Sequence, residues 1–154
     1  MVDFKENEQL NTLNHSCAHV MAQAIKHLYP QAKFWVGPVV AEGFYYDVDL
    51  GDEVVSDEAI AKIEKEMSKI ADEALPIVRE EVSLEKAKEL FANQKYKLAH
   101  LDEIEGKLTI YRQGEFYDLC RGPHVSNTKY CKHIKLTSIS GAYYKGDSKN
   151  EQLT

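Results

Sequence analysis

The sequence predicts an α+β domain in which a few α-helices pack with an antiparallel β-sheet. Some segments repeat apolar residues with the 3.6-residue period of a helix, and shorter ones alternate apolar and polar residues, as half-buried strands do. The two kinds of segment are interleaved irregularly with hairpins, which is typical of antiparallel sheets. With 154 residues, 44% of them hydrophobic, the chain can form one core. We expect a flexible leader at residues 1–10 and a single domain at residues 11–154.

The first helix is predicted to begin at Asn11 or Asn14, because asparagine is a favourable N-cap residue. It should end near Tyr29, because Pro30 cannot continue a helix. About five helical turns lie between these limits. This is the longest element that the sequence predicts.

One face of this helix is apolar at helical spacing. It contains Leu13, Cys17, Val20, Met21, Ala24, Ile25 and Leu28. His15 and His19 lie one turn apart and roughly opposite this face, beside the small residues Ala18 and Ala22. We therefore expect both histidines to avoid the core and to face an open cleft beside the helix.

The rest of the chain combines hairpins with two shorter helices. Residues 33–50 are predicted to form a β-hairpin punctuated by Gly-Pro at 37–38. A second helix, capped by Ser56, should span about 57–74, and a third should run from Ser83 to about Asn93. Further strands are predicted at 77–82, 96–101, 107–113, 115–120, 133–140 and 142–145.

Composition and charge exclude several functional classes. No apolar run approaches the roughly 20 residues of a membrane span, and the polar N-terminus is not a signal peptide. Three cysteines in a chain of this length fit a reducing cytoplasm better than a disulfide framework. A net charge of −6 argues against broad binding of a phosphate backbone, which depends on lysine and arginine.

Two short motifs supply residues that can bind a metal or move protons near neutral pH. His15 and His19 form an H-x-x-x-H motif, and Cys120 and His124 form a C-x-x-x-H motif. Together they could bind zinc. Without a metal, the imidazoles and the neighbouring carboxylate of Asp118 could orient a water molecule and shuttle protons, or Cys120 could act as a nucleophile. A peptidase of the H-E-x-x-H type is excluded, because serine occupies the position of the glutamate.

Six motifs in order resemble one family, the editing domain of bacterial-type threonyl-tRNA synthetase, which is related to that of alanyl-tRNA synthetase. They are His-Ser-Cys-Ala-His at 15–19, Gly-Pro at 37–38, Gly-Phe-Tyr-Tyr-Asp-Val-Asp at 43–49, Tyr-Lys at 96–97, Asp-Leu-Cys-Arg-Gly-Pro-His at 118–124 and Gly-Ala-Tyr-Tyr-Lys-Gly-Asp at 141–147. The resemblance covers about residues 12–153. Cys-Arg-Gly-Pro-His, in place of a Cys-Gly-Gly-Thr-His-like motif, resembles the threonyl branch.

The resemblance implies hydrolytic proofreading: cleavage of the ester between serine and the 3′ end of tRNA(Thr). It implies that His15 and Lys97 transfer protons in a pocket shared with His19, Cys120 and His124. It also implies a substrate-binding set that consists of Tyr46, Asp118, Arg121 and Gly37.

The resemblance also bears on cofactors and partners. The threonyl branch implies no cofactor, whereas the alanyl relatives place zinc at the positions of His15, His19, Cys120 and His124. The expected partners are the 3′ end of tRNA(Thr) carrying serine and the rest of threonyl-tRNA synthetase, with no membrane. Because the ATP-binding ligase body of the parent enzyme is missing from this sequence, we expect an excised domain without aminoacylation activity. The alternatives are a free-standing trans-editing protein and a non-catalytic, zinc-binding tRNA-interaction module.

Overall fold

The computed structural model describes residues 3, 6–35, 37–51, 56–101, 103, 108–137, 142–143 and 152–154. The α-helices in these ranges are α1 (Glu8–Leu28), α2 (Asp57–Glu73), α3 (Leu84–Leu90) and α4 (Lys95–Leu101). The strands are β1 (Lys33–Phe34), β2 (Val39–Val40), β3 (Gly43–Phe44), β4 (Val48–Asp49), β5 (Ile77–Val82), β6 (Leu108–Gln113), β7 (Phe116–Leu119), β8 (Ala142–Tyr143) and β9 (Gln152–Leu153). All the strand pairs among them are antiparallel, which confirms the predicted α+β class.

Helix α1 begins earlier than predicted, because Asn7 rather than Asn11 or Asn14 caps it. The side chain of Asn7 accepts a hydrogen bond from the Leu10 N–H at 3.1 Å, which satisfies one of the free N–H groups of the first turn. Residues 8–10 therefore belong to the helix. The predicted end is confirmed, since the last helical residue is Leu28.

The predicted core face of α1 is confirmed at Cys17, Val20, Met21, Ala24 and Ile25, but the prediction that His19 avoids the core is wrong. Residues 16–25 are all buried, and His19 is only 5% exposed, whereas the predicted core residue Leu28 is 36% exposed. The reason is that α1 is covered from several directions, by α2, by the 3-10 helix Thr128–Cys131 and by β2 and β3. A pattern along one helix cannot show how many neighbours surround it.

The central sheet has the order β5-β6-β7. Ile110 in β6 pairs with Glu80 in β5 and Leu119 in β7, as expected for the middle strand. Tyr111 in β6 pairs with Asp118 near the end of β7. The sheet thus fixes the position of Asp118, one of the predicted site residues. The three strands confirm those predicted at 77–82, 107–113 and 115–120.

The predicted hairpin at residues 33–50 is present as two short antiparallel ladders. Phe34 pairs with Val48 in the outer ladder, and Val39 pairs with Phe44 in the inner one. Tyr46 is buried between the two ladders, so the hairpin places its ring against the core. Val36 lies outside the described residues.

Residues 95–101 form helix α4 and not the strand predicted at 96–101. The alternation of Tyr96 and Leu98 imitates a strand, but Leu98 and Leu101 have the i, i+3 spacing of one helix face. Both leucines pack with Ala87 and Leu108 in a small second core, and this packing favours the helix.

The C-terminal strand predictions are confirmed only in part. Residues 133–137 contain no strand, and residues 138–140 lie outside the described part of the chain. Of the strand predicted at 142–145, residues 142–143 form β8, and the remaining two residues are likewise outside the description. Among the described residues, none of the helices has the length and apolar character that crossing a bilayer requires.

Candidate functional site

The two sequence motifs meet at one end of the central sheet. Helix α1 carries His15 and His19, and the segment that leaves β7 carries Cys120 and His124. The ligand atoms of His19, Cys120 and His124 all lie within 4.8 Å of one another. We call these three residues and His15 the His/Cys cluster.

The imidazole of His124 is the centre of the His/Cys cluster. Its Nε2 atom lies 3.0 Å from Cys120 Sγ. Its ring centroid is 4.4 Å from that of His19 and 5.9 Å from that of His15. His15 therefore borders the group of three, and it is only half-buried, unlike His19.

A buried ion pair lies beside the cluster. The Lys97 ammonium is 2.8 Å from Asp118 Oδ1, and the two side chains are 6% and 3% exposed. Lys97 also donates to the Trp35 carbonyl at 2.7 Å and to the Tyr46 hydroxyl at 3.3 Å. The Tyr46 hydroxyl in turn donates to Asp118 Oδ2. Three acceptors thus satisfy the three N–H bonds of the ammonium.

The carboxylate of Asp118 is ionised although it is buried. Burial by itself would raise its pKa, but the Lys97 ammonium, with hydrogen bonds from Lys97 and Tyr46, outweighs burial and holds the pKa of Asp118 below its usual value. Burial and the negative charge of Asp118 together raise the pKa of Tyr46 well above its usual value. The network therefore contains one cation, one anion and one neutral phenol.

The histidines of the cluster are neutral at pH 7. Burial, with contributions from the nearby Lys97 and His15, lowers the pKa of His19 to about 4, although Asp118 opposes this. Burial and the neighbouring His19 and His15 lower the pKa of His124 to about 2. Burial also lowers the pKa of His15. Neutral imidazoles retain a lone pair that can accept a proton or bind a metal.

The thiol of Cys120 is protonated. Burial raises its pKa to about 11, and the Asp118 carboxylate adds to that rise, while the Gly122 N–H and the Lys97 ammonium oppose it. A thiolate, and not a thiol, is the effective nucleophile. The structure therefore gives Cys120 little nucleophilic character.

Two glycines allow the aromatic rings of the site to approach the backbone. A Cβ atom at Gly37 would lie 2.6 Å from Cε2 of Tyr46, and one at Gly122 would lie 2.7 Å from Cζ of Tyr111. Gly122 also has a φ of +77°, a conformation that side chains other than glycine rarely adopt. Gly37 thus contacts the site through Tyr46, while Arg121 is exposed.

Sequence reasoning missed some residues that shape the site. The Tyr111 ring lies 4.3 Å from that of His124, and the Phe116 ring lies 6.2 Å from that of His19. Their only sequence signal is that both fall on the buried face of a strand. The contact of the Trp35 carbonyl could not be predicted from the sequence, because every residue has a backbone carbonyl.

A cavity of about 240 Å³ borders the ion pair on one side. Lys97 and Asp118 contribute to its wall, and aromatic rings form much of the rest. The aromatic lining residues are Phe34, Phe91, Phe116 and Tyr117. The ion pair is therefore buried from bulk water but not enclosed by packed side chains on every side.

The chain is similar to known proteins over most of its length. Residues 108–154 match the family described as the threonyl and alanyl tRNA synthetase second additional domain. The chain is 53% identical over 150 residues to a threonine--tRNA ligase of Acholeplasma laidlawii and 55% identical over 148 residues to one of Campylobacter lari, covering 97% and 96% of the chain. A threonine--tRNA ligase of Thermotoga maritima is 49% identical over 157 residues and covers the whole chain.

The chain spans about a quarter of the length of these relatives, with coverage of 23% to 24%. The family match at residues 108–154 includes the motif of Cys120 and His124. The identity extends over nearly the whole chain and not only over the site. The chain is therefore similar, over nearly its whole length, to one quarter of the threonine--tRNA ligases, and its residues 108–154 resemble the second additional domain of threonyl and alanyl tRNA synthetases.

Proposed function

We propose that this chain hydrolyses the ester between serine and the 3′ end of tRNA(Thr), as an editing domain. The observation that carries the proposal is the buried Lys97–Asp118 ion pair beside a cluster of neutral histidines. These groups can activate water and stabilise the negative charge that develops during ester hydrolysis. The relatives that attach threonine to tRNA are the kind of enzyme that needs this reaction.

The need arises because serine differs from threonine by a single methyl group. A pocket that binds threonine discriminates against serine by only about 1–3 kcal/mol for that methyl group. A second, smaller site that admits serine and excludes threonine can remove the error after it has occurred. The tRNA partner then requires contacts mainly at its single-stranded 3′ end, which is compatible with the net charge of −6.

We assign the role of general base to His15. It is less buried than His19, and burial lowers its pKa, so it is unprotonated at pH 7. A bond forms between the water oxygen and the ester carbonyl carbon as His15 takes a proton from the water. The bond to the 3′ oxygen then breaks, and that oxygen receives the proton, which releases serine and the tRNA.

We assign the role of charge stabilisation to the Lys97 ammonium. Its Nζ atom lies 2.8 Å from the Asp118 carboxylate and also contacts the Trp35 carbonyl and the Tyr46 hydroxyl. We assign it as an ammonium paired with Asp118, and an ammonium has no lone pair with which to act as a base. The Tyr46 hydroxyl is the most distant acceptor, at 3.3 Å, and is the one that the substrate oxygen would replace.

Asp118 and the Trp35 carbonyl hold Lys97 in place. Tyr46 borders the substrate oxygen, and Gly37 leaves room for Tyr46. We assign exposed Arg121 to contact with a phosphate of the tRNA end.

The direct test is a deacylation assay with the isolated chain and two substrates, seryl-tRNA(Thr) and threonyl-tRNA(Thr). We expect release of serine well above the spontaneous rate, with threonyl-tRNA(Thr) spared. Equal rates for both substrates, or no rate above the background, would refute the proposal. Because the rest of the synthetase would supply further tRNA contacts, the assay should use tRNA concentrations high enough to saturate.

Zinc binding is the second candidate function, and the convergence of His19, Cys120 and His124 favours it. Tetrahedral zinc with bonds of about 2.0–2.3 Å sets its ligand atoms roughly 3.3–3.8 Å apart. The three ligand atoms lie within 4.8 Å of one another, so they fit after a small closure, with His15 nearby as a fourth. In the described part of the chain, Nδ1 of His19 is buried without a hydrogen-bond partner. Bound zinc would supply a Lewis acid or a structural cross-link.

Metal analysis of the purified protein separates the two functions. A non-catalytic zinc module requires one zinc per chain and should unfold at a lower temperature after treatment with a chelator. The hydrolase requires neither and should keep its deacylation rate in the chelator. If the chelator lowers the deacylation rate, a metal and not His15 activates the water, which would contradict the role given to His15.

A further inference from the structure

We propose that Ser16 is a positioning residue that fixes the proton of His124 on Nδ1, so that the lone pair of Nε2 faces the site. Ser16 lies between the two histidines of α1 and is completely buried. The consequence for catalysis rests on the proposed function, whereas the tautomer can be measured without any substrate.

Three polar groups surround the hydroxyl of Ser16. Its Oγ lies 3.0 Å from the Thr12 carbonyl oxygen, 2.9 Å from the Val125 backbone nitrogen and 3.0 Å from His124 Nδ1. Thr12 and Ser16 belong to the same helix, whereas Val125 and His124 belong to the segment after β7. Ser16 therefore links the two motifs of the His/Cys cluster.

The protons of this network can be assigned by counting. The Val125 N–H can only donate, and the Thr12 carbonyl can only accept. Ser16 has one proton, and it must be donated to Thr12 if that contact is to be a hydrogen bond. The contact with His124 is then a hydrogen bond only if Nδ1 carries the proton and donates it to Ser16 Oγ. This assignment is the one that satisfies all three contacts.

The same assignment determines what Nε2 of His124 can do. A neutral imidazole with its proton on Nδ1 has a lone pair on Nε2. That atom lies 3.0 Å from Cys120 Sγ, and the protonated thiol can donate to it. The lone pair is therefore directed at the place where the ligand atoms of His19 and Cys120 converge, ready to accept a proton or to bind a metal.

Without the Ser16 hydroxyl, the proton of His124 should no longer be held on Nδ1. In Ser16→Ala, neither the Val125 N–H nor the Nδ1–H of His124 retains its acceptor. The imidazole can then move its proton to Nε2 and donate to Cys120 Sγ. Alanine is a good helix former, so α1 should remain intact. Thr12→Ala is the matched control, since the Thr12 hydroxyl donates to the Glu8 carbonyl one turn earlier in the same helix.

The experiment is a long-range ¹H–¹⁵N correlation spectrum of the ¹⁵N-histidine-labelled chain at pH 8, where an ordinary histidine is already neutral. Assignment uses His124→Gln. We expect His124 in the wild type and in Thr12→Ala to show a protonated Nδ1 and an unprotonated Nε2. In Ser16→Ala we expect a mixture or the Nε2–H form. A wild-type His124 with its proton on Nε2 overturns the proposal, and this result does not depend on any variant folding.

The deacylation assay then tests the consequence. Loss of a group that orients a site histidine is expected to lower kcat/KM by about 10- to 100-fold, with Thr12→Ala close to the wild type. An unchanged His124 spectrum in folded Ser16→Ala overturns the positioning role. If the wild type shows the expected tautomer but deacylates no seryl-tRNA(Thr), the proposed function fails and the role of Ser16 in fixing the tautomer stands.

Discussion

Lys97 Nζ lies 2.8 Å from Asp118 Oδ1, and both side chains are almost completely buried. The two charges come from distant parts of the chain, Lys97 from α4 and Asp118 from β7. Neither charge would be tolerated in this position without the other, because an unpaired buried charge is strongly destabilising. The ion pair therefore couples the position of α4 to the edge of the central sheet.

The loss of stability on removing Lys97 and Asp118 together should be smaller than the sum of the losses on removing each one alone. We expect Lys97→Met or Asp118→Asn alone to lower the free energy of unfolding by about 3–5 kcal/mol. A double-mutant cycle measured by urea denaturation should give a coupling energy of about 0.5–3 kcal/mol. The exposed pair Lys132–Asp72, at 3.8 Å, is the control and should give about 0–1 kcal/mol. Additive effects at the buried pair would contradict the account.

The two motifs are visible in the sequence, whereas the surroundings of the helix that carries one of them are not. Residue type and the spacing of His15 with His19 and of Cys120 with His124 indicate that the motifs could share one pocket, and the structure brings them together. The burial of His19 was not predictable, since it depends on the 3-10 helix and the hairpin that cover α1. Lys97 was predicted through the family resemblance alone.

Helix α4 shows the limit of reading periodicity in a short segment. Seven residues contain fewer than two helical turns, so alternation and helical spacing cannot be separated by the pattern of Tyr96, Leu98 and Leu101. The helix places Tyr96 where its hydroxyl donates to Asp49 at 2.9 Å and directs Lys97 at Asp118. Tertiary contacts of this kind override weak local preferences.

A methyl group at Gly37 should displace the Tyr46 ring. The added Cβ would lie 2.6 Å from Cε2 of Tyr46, and overpacking of this kind costs about 1–3 kcal/mol. We expect Gly37→Ala to lower both the free energy of unfolding and the deacylation rate. Gly51→Ala is the control: its φ of +65° makes alanine strained, but no atom lies within 4 Å of the added Cβ. It should lose stability and keep the rate, and an equal loss of rate would rule out a specific effect on Tyr46.

The buried histidines should make the protein lose stability as the pH falls below 6.5. The pKa of His19 is about 4 in the folded chain, and an unfolded histidine has a pKa of about 6.5. Between these values the unfolded state binds more protons, so the stability due to neutral His19 is complete above pH 6.5 and declines towards pH 4, and His19 alone contributes up to about 1.4 kcal/mol per pH unit. Urea denaturation at several pH values measures the slope. His19→Gln should make it shallower, and an identical slope would contradict the assignment.

The thiol of Cys120 should react slowly with alkylating reagents at neutral pH. Its pKa of about 11 keeps the thiolate scarce, so the alkylation rate should rise about tenfold per pH unit from pH 8 to pH 10. Peptide mapping by mass spectrometry identifies the modified residue and separates it from buried Cys17 and Cys131. Free cysteine in the same tube should level off near its lower pKa. If the alkylation rate of Cys120 stops rising below pH 9, its pKa is lower than the structure indicates, and Cys120 is again a candidate nucleophile.

The proposed division of labour predicts different pH behaviour for two variants. His15→Gln removes the general base, so its deacylation rate should fall by about 10²–10⁴-fold. In the wild type the rate should decline at acidic pH as His15 becomes protonated, and this acid limb lies below pH 6.5 because burial lowers the pKa of His15. The acid limb should be absent from the pH–rate profile of His15→Gln. Lys97→Met removes charge stabilisation and should reduce the rate at every pH while that limb remains. Circular dichroism of both variants controls for folding.

The central claim, that Lys97 and His15 together hydrolyse the seryl ester, is tested most directly by single-turnover deacylation of seryl-tRNA(Thr) in the presence of a chelator. The account predicts a fast rate for the wild type, a rate about 10²–10⁴-fold lower for folded His15→Gln, and a reduced rate that stays above the spontaneous background for folded Lys97→Met. Wild-type rates in both variants would contradict it.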